Sequence, residues 1–132
     1  MTVTWNNDAI VELERRAFEG VKRVAHQILD EGNRVIISGP KTGKKYGHLP
    51  NRSSAPGEAP AYQSGELVRS GKVIERKEET ACTVIWTAEH AASMQFGTER
   101  GIAPRPFATM ALAYVEPRAG EVIISEIRGV GK

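Results

Sequence analysis

DAIVELERRAFEGVKRVAHQILDE, residues 8–31, followed by GNRVIIS, residues 32–38, sets the architecture of this chain. In the first stretch Ile10, Val11, Ala17, Phe18, Val21, Val24, Ala25, Ile28 and Leu29 recur near every third or fourth position. That spacing lines them up on one face of an α-helix. Asn7 or Asp8 can cap its start, because a side-chain oxygen there accepts a free amide of the first turn. At 1.5 Å per residue the helix is about 36 Å long. Gly20 weakens its middle by ~1 kcal/mol relative to alanine. Gly32-Asn33 reads as the stop. Arg34-Val35-Ile36-Ile37-Ser38 is a β-branched run and reads as a strand.

Residues 39–61 hold glycines at 39, 43, 47 and 57 and prolines at 40, 50, 56 and 60. They read as an extended loop or arm, of a length that in a compact domain is usually functional or disordered. Residues 64–70 read as a short helix capped by Ser64. Residues 72–77 and 81–87 read as two strands joined by Glu78-Glu79-Thr80. Alternation puts Val84 and Trp86 on one face and Thr83, Ile85 and Thr87 on the other. Residues 89–96 read as a helix ending at Gly97, and residues 107–116 as another. Pro117 then opens a further helix towards Arg128, with Val122, Ile123 and Ile127 on one side. The expectation is a single α+β domain over residues 1–132. A long N-terminal helix and C-terminal helices pack on a small antiparallel sheet, with a long Pro/Gly-rich basic loop at 39–61.

Composition narrows the function classes. The chain has 132 residues, 26% of them charged, and one cysteine, Cys82. These numbers exclude a disulfide scaffold and a disordered or collagen-like chain. No run approaches 18 consecutive apolar residues, so no membrane span is expected. The first ten residues lack the basic and apolar regions of a signal peptide. Charge is unevenly spread. Residues 32–57 contain no Asp or Glu and carry Arg34, Lys41, Lys44, Lys45 and Arg52, which leaves 13 basic against 16 acidic residues elsewhere. Such a run suits contact with a polyanion, and equally a solvated loop.

No catalytic pattern emerges. Gly39 to Lys45 leave three residues between the glycines where a P-loop needs four, and Lys45 stands where the Mg²⁺-binding Ser or Thr belongs. His26, His48 and His90 are scattered, without ligand spacing for a metal. Cys82 sits among apolar strand residues and reads as a small hydrophobe. No enzyme, cofactor or metal is expected. Tyr46 and Tyr62 flank basic residues as a stacking platform does, so a small non-specific nucleic-acid-binding module is an alternative from another class.

Two motifs carry a resemblance. The first is Arg52-Ser-Ser-Ala-Pro-Gly-Glu-Ala-Pro-Ala61 followed by Ser64-Gly-Glu-Leu-Val-Arg-Ser70. The second is Met94-Gln-Phe-Gly-Thr98 followed by Ala103-Pro-Arg-Pro-Phe107. Together, over roughly residues 50 to 115, they resemble the Hong Kong 97-type tail-component family of long-tailed double-stranded-DNA phages. These are head–tail joining, or neck and tail-completion, proteins with the patterns RS-APGEPPA…TG-L--S and E-GT…ARPF--PAL. This chain departs at Ser64, where Thr is frequent, at Gln95, where Glu is common, at Met110, often Pro, and at the inserted Pro104.

The resemblance implies a structural virion protein assembled in the bacterial host cytoplasm. Its copies form a six-fold or twelve-fold ring that joins the DNA-filled head to the tail and lets the genome pass. A tail-terminator or head-closure subunit is the alternative within that class. Implied partners are further copies of the chain, neighbouring head-connector and tail proteins, and passing duplex DNA held without sequence preference. Candidate interface residues are Arg52, Pro56, Gly57, Glu58, Pro60 and Arg105. Arg105, held between two prolines, is suited to a carboxylate. Candidate DNA-channel residues are Lys41, Lys44 and Lys45, on a loop expected to order on assembly. Gly65, Leu67, Phe96, Gly97, Thr98, Pro106 and Phe107 are expected to maintain the fold, with the Phe96 and Phe107 rings in the core.

Overall fold

Helix α1 runs unbroken over Asn7–Ser38 in a computed structural model of the chain, which describes residues 2, 7–99, 101 and 103–129. Its 32 residues span about 48 Å. Gly32-Asn33 is therefore not a stop, and residues 34–38 are not a strand. The reason is tertiary. A Cβ on Gly32 would lie 2.5 Å from Cζ2 of Trp86, so the glycine is the flat spot on which the indole rests. Asn33 Oδ1 accepts the indole N–H of Trp86 at 3.0 Å. Val35 and Ile36 are buried beside them. A β-branched residue costs a helix only tenths of a kcal/mol, less than burial of its side chain returns.

Gly39-Pro40 is the actual end. The Gly39 N–H bonds to the Val35 carbonyl at 3.1 Å, and Pro40 disfavours helical geometry for the residue before it. Lys41 Nζ donates to the carbonyls of Val35 at 2.8 Å and Gly39 at 3.0 Å, so a cation closes the negative end of the helix. At the other end Asn7 and Asp8 both lie within the first turn, and the residue before them is outside the described set.

Five further elements follow: α2 (Glu66–Arg69), β1 (Gly71–Arg76), β2 (Ala81–Trp86), α3 (Ala91–Phe96) and α4 (Phe107–Arg128). The strands form an antiparallel hairpin pairing Gly71 with Trp86 and Val73 with Val84. A short 3₁₀ turn, Lys77–Glu79, joins them, with Thr80 at φ 50°. The hairpin lies along α1: a Cβ on Gly71 would meet Leu29 Cδ1, and Lys22 Nζ stands 3.9 Å from the Glu75 carboxylate. Ser64 Oγ accepts the Glu66 N–H at 3.3 Å at the start of α2.

Helix α4 passes straight through Pro117, which was expected to begin a separate helix. Ala111 and Val115 before the proline are buried, and Ile123 beyond it packs on Gly20, so both halves face α1. Pro117 itself is exposed, where solvent can take the carbonyl left without an amide donor. The two helices run antiparallel. Gly20 meets Ile123 so closely that a Cβ would lie 2.7 Å from the Ile123 Cα, and Gly32 faces Ala111. Ion pairs line the seam. Arg23 holds buried Glu126 at 2.5 Å, and Arg34 holds buried Glu31 at 2.6 Å, keeping the Glu31 carboxyl below its ordinary value. On the exposed first turns Arg15 and Arg16 hold the Glu12 carboxyl at about 2.

The core sits at the C-terminal end of α1. Val35, Ile36, Ala59, Leu67, Ala91 and Phe107 form it, with Trp86, Val68 and Met94 packed around. Ala59 comes from the Pro/Gly-rich loop, so that loop seals the core. The α+β arrangement expected from the sequence is the one observed. Among the described residues no helix is long and apolar enough to cross a membrane.

Candidate functional site

The loop at residues 39–61 has no helix or strand, yet several of its backbone groups are paired. The Gly43 N–H bonds to the Ser53 carbonyl at 2.8 Å and the Ser53 N–H to the Lys44 carbonyl at 3.1 Å, joining its two limbs. Arg52 Nη1 donates to the Gly43 carbonyl at 3.0 Å. Across the base, Gln63 and Asn51 exchange two bonds: the Asn51 N–H to Gln63 Oε1 at 3.0 Å, and Gln63 Nε2 to the Asn51 carbonyl at 2.9 Å. Gly57, at φ 85°, makes the turn that a residue with a side chain resists.

Glu58 is the knot of this loop. Its carboxylate accepts the Ala55 N–H at 2.6 Å, the Thr42 N–H at 2.9 Å and the Thr42 hydroxyl at 3.0 Å. The Ala55 and Thr42 amides hold its carboxyl below the ordinary value, because they bond best to the charged form. A lowered acid stabilises the fold above the unfolded-state value of about 4.3 and stops doing so as pH falls through the lowered one. The Thr42 and Ala55 amides should therefore lose hydrogen-exchange protection below that value, after correction for intrinsic rates, before α1 and α4 do. Glu58→Gln should produce the same opening at neutral pH. Unchanged protection in the variant would show that the carboxylate does not hold the loop.

The two motifs that lie some 50 residues apart in sequence meet at one node. Arg105 Nε donates to Ser54 Oγ at 2.9 Å, Nη2 to the Ser54 carbonyl at 3.2 Å and Nη1 to the Ala103 carbonyl at 2.6 Å. The Gly57 N–H bonds to the Pro104 carbonyl at 3.1 Å. Ala59 and Phe107 share the core below. Gln95 Oε1 accepts the Ala108 N–H at 2.9 Å, so the second motif caps the start of α4 with its own side chain. Arg105 therefore grips a hydroxyl and backbone carbonyls, not the carboxylate expected of it. Pro56 and Gly57 are exposed, Pro60 is buried, and Glu58 and Arg105 are half-buried within the node.

The candidate cations separate. Lys41 is spent on the end of α1, and burial pushes its ammonium below the ordinary value. Lys44 and Lys45 are exposed at the loop tip. Lys44 Nζ lies 5.0 Å from the centre of the Tyr46 ring, and Lys45 Nζ bonds to the Tyr46 and Leu49 carbonyls. His48 meets the Tyr46 ring edge-on, with centroids 5.9 Å apart. Beside the tip lies an open groove of about 560 Å³, walled by Lys44, Tyr46, Leu49, Tyr62, Val68 and Met94.

Of the remaining expected residues, Gly65 and Leu67 are buried, Pro106 and Thr98 are half-buried, and Phe107 is 2% exposed. Gly97, at φ 76°, closes α3 through its N–H to the Ser93 carbonyl at 2.9 Å. Phe96 departs from expectation: it is 76% exposed, outside the core. The short α3 puts Met94 on the inner side, and Phe96, two positions on, points away. Ser54 and Gln95 enter the sequence reading only as letters of the motifs and Asn33 only as part of a helix stop, so their bonds to Arg105, Ala108 and Trp86 were not expected. Each acts through one polar atom on a partner distant in sequence, which no local spacing announces. Cys82 is half-buried in β2, and burial pushes its thiol up. Among the described residues no group of three or more His, Cys, Asp or Glu could hold a metal ion. Comparison with known protein families, curated proteins and solved structures finds no match to the chain.

Proposed function

We propose that this chain is a structural protein of a phage neck, whose copies form a ring between the DNA-filled head and the tail and leave a passage for the genome. The observation that carries the proposal is the meeting of the two family-like motifs. Arg105 on Ser54, Gly57 on Pro104, and Ala59 beside Phe107 tie the loop to the body at one joint. Residues that resemble the family pattern thus act on each other, as parts of one device for holding an arm. In a ring each subunit meets its neighbours through two different faces, and the ring subunits meet head-connector and tail proteins above and below. Lys44 and Lys45, exposed on the acid-free loop, supply positive charge for sequence-independent contact with DNA phosphates.

Electron microscopy of particles assembled without the chain tests this. The expected outcome is full heads and finished tails that remain unjoined. Normally joined particles would overturn the neck role. Binding of the free protein to duplex DNA, weakening steeply with salt, would then favour a nucleic-acid-binding module.

A further inference from the structure

The hairpin is a sheet of two strands, and β1 is its open side. Lys72, Ile74, Glu75 and Arg76 are exposed, whereas β2 is half-buried along its whole length. The Thr87 N–H bonds to the Ser70 carbonyl at 3.3 Å. That phase puts the bonded pairs of the antiparallel ladder at Lys72–Ile85, Ile74–Thr83 and Arg76–Ala81. The N–H and C=O groups of Gly71, Val73 and Glu75 therefore point out of the sheet along β1. They carry no bond to another element among the described residues. An edge of this kind is a template for one more strand.

The side chains say which strand. Gly71 meets Leu29 and Glu75 stands beside Lys22, so the face of β1 that carries Gly71, Val73 and Glu75 lies on α1. The opposite face carries Lys72, Ile74 and Arg76. Ile74 is 37% exposed between the two cations. Neither Lys72 nor Arg76 forms a salt bridge among the described residues. Glu78 and Glu79 lie past the strand, in the 3₁₀ turn. Beside Glu75 a cleft of about 400 Å³ opens against the polar side of α1, at Glu19, Lys22, His26 and Asp30, with room for polar side chains of an added strand. We infer that β1 accepts an extended segment of a partner protein as a third strand, with one carboxylate of that segment beside Lys72 and another beside Arg76. Acid, any residue, apolar, any residue, acid is the pattern that places both carboxylates and seats an apolar side chain next to Ile74. The occupant is a different protein because charge opposes a second copy. Two β1 edges pairing antiparallel about Ile74 would set Lys72 of each against Arg76 of the other. Pairing about Val73 would leave the same cations on the diagonal. The contact goes beyond the neck role and does not depend on it.

The test titrates the full chain with the peptide acetyl-Thr-Glu-Thr-Val-Thr-Glu-Thr-amide, up to about 1 mM, and follows the backbone amides by NMR. The expected result is saturable binding that slows hydrogen exchange at the outward amides of Gly71, Val73 and Glu75. The same peptide with N-methyl groups on the two threonines that flank valine cannot donate to β1, and should bind about tenfold more weakly or worse. Lysine in place of both glutamates should weaken binding to a similar degree. The double variant Lys72→Glu/Arg76→Glu should reverse the preference, taking the lysine peptide and losing the glutamate one. Both positions are exposed, so its circular dichroism and melting should match wild type. No saturation, equal binding of the glutamate and lysine peptides, or binding that leaves the Val73 amide unprotected would each overturn the inference. Protection of Val73 that rises with protein concentration in the absence of peptide would give the edge to a second copy and overturn it too. The particle assay remains separate: joined particles without the chain would retire the neck role and leave the peptide result unchanged.

Discussion

Phe107→Ala is expected to destabilise the fold by about 3–5 kcal/mol, the range for removing a fully buried aromatic ring. Phe107 is 2% exposed and opens α4 directly over Ile36 and Ala59. Its ring meets that of Trp86 edge-on, with centroids 5.0 Å apart and planes at 87°. The ring is where α1, α4, the hairpin and the loop converge, so the cavity left behind cannot close by moving one element alone. A single domain has only about 5–15 kcal/mol in total, so the variant should be marginal at physiological temperature. Urea denaturation followed by circular dichroism measures the loss. A change under about 1 kcal/mol would place the ring outside the core.

Gly32→Ala is expected to destabilise by about 1–3 kcal/mol, as overpacking does. In an ordinary helix the same change stabilises by ~1 kcal/mol. The sign reverses because the new methyl would lie 2.5 Å from Cζ2 and 2.7 Å from Cη2 of Trp86. That indole cannot swing aside freely: its N–H is held by Asn33, and the Phe107 ring packs against it at a right angle. A double-mutant cycle with Trp86→Ala gives the check, because the penalty at Gly32 should largely vanish when the ring is gone. A stabilising Gly32→Ala in the wild-type background would show that the methyl fits beside the indole and that no close contact requires glycine there.

Gly32 and Pro117 show where local reading fails. Both are helix breakers by intrinsic preference, and both stand inside continuous helices. The preference is worth ~1 kcal/mol for glycine and ~3 kcal/mol for proline. Against it stands the apolar face that α1 and α4 bury on each other along their length. Phe96 failed in the opposite sense: an aromatic beside a glycine suggested a core ring, and the turn of α3 sent it outward. Lys41 and Arg105 were read as groups aimed at partners. The fold spends them on carbonyls at the end of α1 and at Ser54.

What the sequence by itself determined is whatever a few neighbouring residues encode. The 3.6-residue spacing of Ile10 to Leu29, the alternation of the hairpin, the Gly-Pro ends of the loop and the apolar entry of α4 at Phe107 all belong here. Each is set by interactions within one turn or one strand pair, so it survives without knowledge of the rest. The tertiary structure alone decided that Gly32 carries an indole, that Pro117 leaves α4 whole, that Glu58 knots the loop and that Arg105 binds the two motifs together. Those outcomes depend on which surfaces meet across long stretches of chain. Burial and hydrogen bonding made there outweigh the small local preferences that sequence spacing records.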